Sequence, residues 1–137
     1  MVTNQGINHM LDVTLHGAAQ ITTWYIVPFT SNYTPTVADD AASFPGAASE
    51  ATTQYAEGSR PTFVEGAAAG QVIGNTASEG VITATGAVTI YGFGLSSSPL
   101  KGSASGILLA AARFPTPKTL EAGEQLKLTA ELTGVNV

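Results

Sequence analysis

Val81-Ile82-Thr83-Ala84-Thr85-Gly86-Ala87-Val88-Thr89-Ile90-Tyr91-Gly92-Phe93 decides the fold class. Ile82, Ala84, Val88 and Ile90 fall on one parity, and Thr83, Thr85, Thr89 and Tyr91 on the other. Successive side chains on a strand point to opposite faces, so this is the pattern of a half-buried strand. Gly86 interrupts it: either one long strand bends there or two strands meet. A second alternation lies near the end of the chain. Leu126, Leu128, Ala130 and Leu132 face one way, and Lys127, Thr129 and Glu131 the other. The Glu121-Ala122-Gly123-Glu124 turn precedes it.

Working outward, Thr22 to Val27 is rich in β-branched and aromatic residues, and Pro28 ends it or places it at an edge. Arg60 to Glu65 reads as a short strand, again at an edge because of Pro61. Gln71 to Gly74 is a further candidate. Ile107 to Phe114 is an apolar run of strand length interrupted by Arg113, though its three alanines allow helix too, and Pro115 and Pro117 then break it. One helix is expected, from about Gln5 to His16. Asn4 is its candidate cap, Ile7, Leu11 and Leu15 recur at i, i+4 and i+8 with Met10 alongside, and Gly17 is its stop. Between Pro28 and about Gln54 the periodicity disappears, and a long extended loop is expected over residues 28–61. A loop of that length needs a task. It carries apolar groups that read as exposed: Phe29, Tyr33, Val37 and Phe44. Asp39 to Ala42 is compatible with a helical turn. The whole is expected to be one domain over residues 1–137. Its class is mainly β: an antiparallel β-sandwich or jelly roll with one N-terminal helix.

Composition narrows the function. Charged residues make up 11% of the chain, against about 25% in an average soluble domain. Lysine and arginine total 5 and the acids 10, giving a net charge of -5. That balance disfavours nucleic acid, whose phosphates need clustered cations, and anionic membrane surfaces. Low charge fits either a surface made polar by Ser, Thr, Asn and Gln, or one covered by other subunits. Absence of cysteine removes disulfides, thiolate nucleophiles and cysteine-based zinc sites. The start lacks the basic and apolar regions of a signal peptide, and no run approaches the roughly 18 apolar residues of a membrane span. A protein made and used without export is expected.

The residues offer no clear chemistry. His9, Asp12 and His16 share one helix face, a set that resembles a two-His, one-carboxylate metal site. Yet the two histidines stand two turns apart, about 10.5 Å, and the polar face of an amphipathic helix is the better reading. There is no G-x-S-x-G elbow, and Gly66 to Gly70 and Gly92-Phe93-Gly94 lack the lysine and spacing of a phosphate loop. Apart from Asp39-Asp40 the acids are scattered, so nothing selects a carboxylate pair for glycoside hydrolysis. No enzyme activity and no cofactor are expected. Trp24, Tyr25, Phe63 and Tyr91 read as packing. Arg60, one of two arginines, reads as an ordinary surface group or as a structural or interface ion-pair residue.

Three stretches carry a resemblance. They are Asn4-Gln5-Gly6-Ile7-Asn8-His9-Met10-Leu11-Asp12 with the Trp24-Tyr25-Ile26 strand, then Glu50 to Pro61, then Gly123-Glu124-Gln125-Leu126-Lys127-Leu128-Thr129. In this order the chain resembles small tailed-bacteriophage virion proteins, similar to capsid decoration (cement) proteins; some relatives are tail-associated. The resemblance implies a β-sandwich or jelly roll, often trimeric, seated on the major capsid protein lattice, with no catalytic residues. It implies a protein of the virion surface assembled in the host cytoplasm. The expected contact residues are Tyr33 and Phe44 as anchors, with Tyr55 nearby and Arg60 as a polar fixer. The alternative is a tail-associated or receptor-binding module that contacts glycan.

Overall fold

A computed structural model describes residues 1–135, so the last two residues of the expected domain lie outside the described residues. Along the chain run α1 (Asn4–Leu15), β1 (Trp24–Phe29), α2 (Phe44–Ala47), β2 (Thr62–Phe63), β3 (Val72–Gly74) and β4 (Gly80–Thr83). Then come β5 (Val88–Ser96), β6 (Leu108–Leu120), β7 (Gln125–Leu128) and β8 (Glu131–Thr133). The protein is mainly β, and its sheets are antiparallel.

Gly86 separates two strands that join different sheets. β5 lies in a four-stranded sheet of order β2-β1-β5-β6, while β4 pairs with β7. The parity holds on both sides of the break as far as Ile90, where a bulge shifts it and brings Phe93 into the same core. Ile82, Ala84 and Ile90 are buried, and Thr85 is exposed. As Pro61 implied, the short β2 is an edge; the expectation from Pro28 fails, because β1 neither ends there nor lies at an edge but runs through Pro28 in the sheet interior. Pro28 is tolerated because its register partner is Phe93 and its carbonyl accepts from the Ala51 amide, so the missing N–H leaves other bonds in place.

β3 with β8 and β4 with β7 make one interrupted ribbon. Gly74 faces Glu131 and Gly80 faces Leu128, so residues 75–79 bulge opposite 129–130. Asn75, buried, closes the gap. Its amide nitrogen donates to the Leu128 carbonyl at 3.0 Å, and its side-chain oxygen accepts from the Ala130 amide at 2.8 Å. Its own backbone N–H reaches the Ala130 carbonyl at 3.3 Å. One side chain thus supplies the donor and acceptor that the broken ladder lacks.

The four-stranded sheet is covered on both faces. Ile26, Phe63 and Leu95 pack with Ile82 and Leu128 of the ribbon. Val27 and Phe29 point the other way and pack with Ala41, Phe44, Ala48, Leu108 and Ala111. Each such large side chain contributes roughly 1.5–3 kcal/mol on burial. Gly92 and Gly94 make room for the second cluster. A Cβ on Gly92 would meet the Ala112 carbonyl and the Phe29 ring, and one on Gly94 would stand 2.9 Å from the Phe44 ring. Phe29 and Phe44 meet edge to face at 5.7 Å. The glycine pair of Gly92-Phe93-Gly94 is therefore a seat for aromatic rings.

The expected extended loop over residues 28–61 is corrected on this point. Pro28 and Phe29 belong to β1, and the segment that follows folds back over the sheet. The Thr30 amide donates to the Ser49 carbonyl at 2.9 Å, and the Ala51 amide to the Pro28 carbonyl at 2.8 Å. The expected helical turn near Asp39–Ala42 is present one residue later: the Phe44 amide donates to the Asp40 carbonyl at 3.0 Å, and α2 follows directly. The Asp40 carboxylate accepts from the Ala42 and Ser43 amides at 3.1 and 2.8 Å at the start of this turn. Pro115 and Pro117 do not end β6 either. Ile90 pairs with Lys118 and Gly92 with Arg113, leaving residues 114–117 bulged out and without ladder partners. Proline is admissible where no ladder N–H is required.

Asn75→Ala strips three side-chain hydrogen bonds from a buried site, those to Leu128 and Ala130 and a longer one to the Ser78 carbonyl at 3.4 Å. We expect a loss of roughly 2–3 kcal/mol. The urea midpoint should fall with an unchanged m-value, and an unmoved midpoint would show that the ribbon does not need this bridge.

Candidate interaction surface

The strongest polar constellation centres on Arg60. The residue is 1% exposed and its side chain pairs with Glu50, the guanidinium Nε and Nη2 donating to the two carboxylate oxygens at 2.8 and 2.7 Å. The remaining hydrogens reach the Ser103 carbonyl at 3.1 Å, the Ser98 carbonyl at 3.0 Å and the Ser96 hydroxyl at 3.3 Å. All five donors of the guanidinium are thereby used. Glu50 also accepts from the Gly102 amide at 3.0 Å. The pair ties the segment between β1 and β2 to the connection between β5 and β6.

All four expected contact residues have their side chains engaged inside this chain, and three of them are buried. Phe44 is fully buried against the sheet, and Arg60 is the buried ion pair instead of a surface group. Tyr55 is buried, with its ring beneath the Lys101 ammonium at 3.5 Å. Among the described residues the Tyr55 hydroxyl has no hydrogen-bond partner, and its burial and the Glu50 charge push its pKa up. Tyr33 is half-buried. Its hydroxyl donates to Asp39 at 2.6 Å, a bond that raises the phenol pKa. The structure thus brings Tyr55 and Arg60 to one cluster and Phe44 with Tyr33 to another, neither facing outward as a unit. The expected exposure fails for Phe29 and Phe44 and holds for Val37, which is 50% exposed, because absent periodicity does not by itself report exposure.

Glu57 is the other acid near this cluster. Burial alone would raise its pKa, but hydrogen bonds from the Thr83 amide at 3.0 Å and hydroxyl at 2.9 Å outweigh this, with help from the Lys101 charge. Its carboxyl is held below the usual range.

α1 is held by its first turn. Thr3, not Asn4, is the cap: its buried hydroxyl accepts from the Gly6 amide at 3.0 Å and donates to the Leu108 carbonyl at 2.5 Å. The Gln5 side-chain oxygen accepts from the Leu108 amide at 2.7 Å and the Ala41 amide at 3.0 Å. Gly6 presses directly on the Leu109 backbone, where any Cβ would collide. His9 continues the inward face, its ring edge to face with Trp24 at 5.8 Å. This use of His9 is packing. Among the described residues no three His, Cys, Asp or Glu side chains are grouped to hold a metal ion.

With Gly6, His9 and Val13 facing the body, the periodic apolar stripe faces water. Ile7 is 41% exposed, Leu11 51% and Leu15 79%. An i, i+4, i+8 stripe normally marks the core side of a helix. Here it is the opposite side. Beneath the helix lies an open groove of about 650 Å³, walled by Met10, Val13, Trp24, Val72, Ile73 and Leu132. No cation of the chain lies on α1. No protein-family model matches the chain, and no curated protein matches it.

Thr3, Gln5 and Asn75 carry the geometry and escape a pattern search, because each acts through a single polar atom at a long-range contact. Two outcomes follow from the buried pair and its neighbour. Arg60→Ala leaves the Glu50 carboxylate buried and unpaired and should cost about 3–5 kcal/mol in denaturant unfolding, whereas replacing both residues by methionine should restore most of that. An Arg60→Ala loss below about 1 kcal/mol would contradict the fully desolvated geometry. Because the folded pKa of Glu57 is depressed, its contribution is present above the unfolded value near 4.3 and is lost as pH falls through the folded pKa. Glu57→Gln should flatten that acid-side decline in stability, and an unchanged pH profile would refute the assignment.

Proposed function

We propose that this chain is a non-enzymatic assembly protein that binds folded protein subunits through neutral apolar surface, and that it serves as a capsid decoration protein. The observation that carries the binding half is the outward stripe Ile7, Leu11 and Leu15 on a helix anchored by its other face. Exposing such a stripe to water is unfavourable, and contiguous exposed apolar surface of this kind marks contact sites. In this reading the stripe joins copies of the chain in a homotrimer. The trimer sits on the lattice of the major capsid protein, at the virion surface, after assembly in the host cytoplasm. The resemblance of residues 4–12, 50–61 and 123–129 to small phage virion proteins supports that setting.

The four-stranded sheet with the ribbon across one face supports the β-sandwich form of the fold, and a jelly-roll connectivity belongs to the same proposal. The non-enzymatic reading is supported by the buried polar side chains. Thr3, Glu50, Arg60, Asn75 and Ser96 all bond to the chain itself. A glycan-contacting tail module is less well supported, because carbohydrate platforms use exposed aromatic rings. Among the described residues the exposed large apolar side chains are Met, Ile, Leu and Val. Neither nucleic acid nor membrane is part of the reading. No helix among the described residues is long and apolar enough to cross a membrane.

Light scattering of the purified chain should give the mass of three copies, and Leu11→Asp with Leu15→Asp should give monomers with an unchanged melting temperature. Added to shells of the major capsid protein, the wild-type chain should saturate at hundreds of copies per particle. A monomeric wild type sinks the trimer, and saturation at a few copies places the protein at the tail.

A further inference from the structure

Residues 1–16 form an arm laid on a seat that lies far along the chain. Val2 pairs antiparallel with Ala110 on the outer edge of β6. The Met1 ammonium donates to the Ala111 carbonyl, and the Ala111 amide to the Met1 carbonyl, each at 3.0 Å. The Thr3 amide donates to the Leu109 carbonyl at 3.1 Å, and the Asn4 amide to the Val37 carbonyl at 2.8 Å. The Gln5 side chain accepts from Leu108 and Ala41 and donates to the Gly106 carbonyl at 3.3 Å. Without these partners this stretch of β6 would be an open sheet edge. The seat therefore needs an arm.

The tie between the arm and β1 is loose by comparison. Gly17 turns the chain out of α1 at a positive φ of 73°, and the Ala18 amide bonds back into the arm, to the Asp12 carbonyl at 3.1 Å. Among the described residues no hydrogen bond holds residues 19–23 to the body, and residues 16–20 are exposed. Fully extended, residues 17–23 span up to about 25 Å. That is long enough to deliver the arm to a neighbouring molecule.

The contacts in the seat are the same whichever molecule supplies the arm, so they cancel in the comparison. The outer face of α1 does not cancel. With the arm on its own β6, Ile7, Leu11 and Leu15 stand in water. With the arm on a neighbour's β6, the tether draws two bodies together beside α1, and the stripe lies at their junction. Burial of that stripe favours exchange and opposes the translational freedom lost on association.

We infer that residues 1–16 are exchanged between copies of this chain, each arm seated on β6 of the next copy, with residues 17–23 as the hinge. The occupant is set by the seat itself: Thr3, Gln5 and the bare Gly6 fit the Leu108 and Leu109 backbone, and a second copy brings the same three residues. Arms passed head to tail close a ring, which with three copies is the trimer. The exchange rests on the reading that copies associate through α1, and it does not need the capsid setting. The closed chain is then the form of the monomer.

The chain has no cysteine, so one introduced pair reports the exchange. Val2 and Ala110 face each other between hydrogen-bonded pairs, a position where Cα atoms stand about 4.5 Å apart and a disulfide fits. The full chain carrying Val2→Cys and Ala110→Cys is oxidised at a concentration where light scattering gives the associated mass. On a denaturing gel without reductant it should run as three linked chains. With Leu11→Asp and Leu15→Asp added, the same pair should run as a single chain with an internal disulfide, which also shows that the pair forms. Single-chain bands from the associated protein overturn the exchange and leave association through α1 standing. Linked chains that persist in the aspartate background overturn the stripe as its drive. Cysteines that stay free in both backgrounds overturn the seat. A wild type that stays monomeric at every concentration overturns the association reading, and the exchange falls with it.

Discussion

The buried pairing of Arg60 with Glu50 is the constraint on which much of the outer architecture depends. It lies where the cover segment after β1, the end of β5 and the β5–β6 connection converge. A lone guanidinium in that position would be strongly unfavourable, so all three strands of chain must arrive together with their oxygens aligned. The segment over residues 30–51 is then obliged to lie back on the sheet, because Glu50 at its end must reach Arg60. That return places Phe44 over Gly94 and closes the second face of the sheet. Polar specificity and apolar burial thus act on the same segment, the first setting where it ends and the second what it covers.

The sequence was legible where periodicity reports burial directly. The alternation at 82–90 and at 126–132 translated into strands with the expected inward parity, because strand geometry alone fixes which side chains share a face. Proline positions were legible only in part. Pro61 lies beside an edge strand, but Pro28, Pro115 and Pro117 sit inside strands whose local pairing does not need their N–H. That depends on bulges and on register, which no local pattern contains. The irregular segment was illegible for a similar reason. It has no repeating geometry, so its apolar residues meet the core one at a time through tertiary contacts.

α1 shows where a pattern was right about the element and silent about its orientation. The i, i+4, i+8 spacing located the helix correctly. Which face turned inward was decided by Gly6 and its close approach to the Leu109 backbone, an approach that only a residue without a side chain permits. A glycine in the first turn therefore outweighed three large apolar residues. The inward face is small and tightly fitted, and the large residues remain for another surface.

The interrupted ribbon also sets the order in which the molecule can be completed. β4 is paired with β7, Ile82 standing opposite Leu126, and β3 with β8. These partners are separated by a long stretch of intervening chain, and contacts of such separation form slowly because the loop must be closed first. During synthesis β1, β5 and β6 can assemble as soon as residue 120 has emerged, but one face of that sheet stays bare until the last strands arrive. The final dozen or so described residues thus act as a closing clasp for the first core. A ribosome that stalls just short of them would release a chain with its sheet formed and its largest apolar face open to water, the species most exposed to aggregation or to capture by a chaperone.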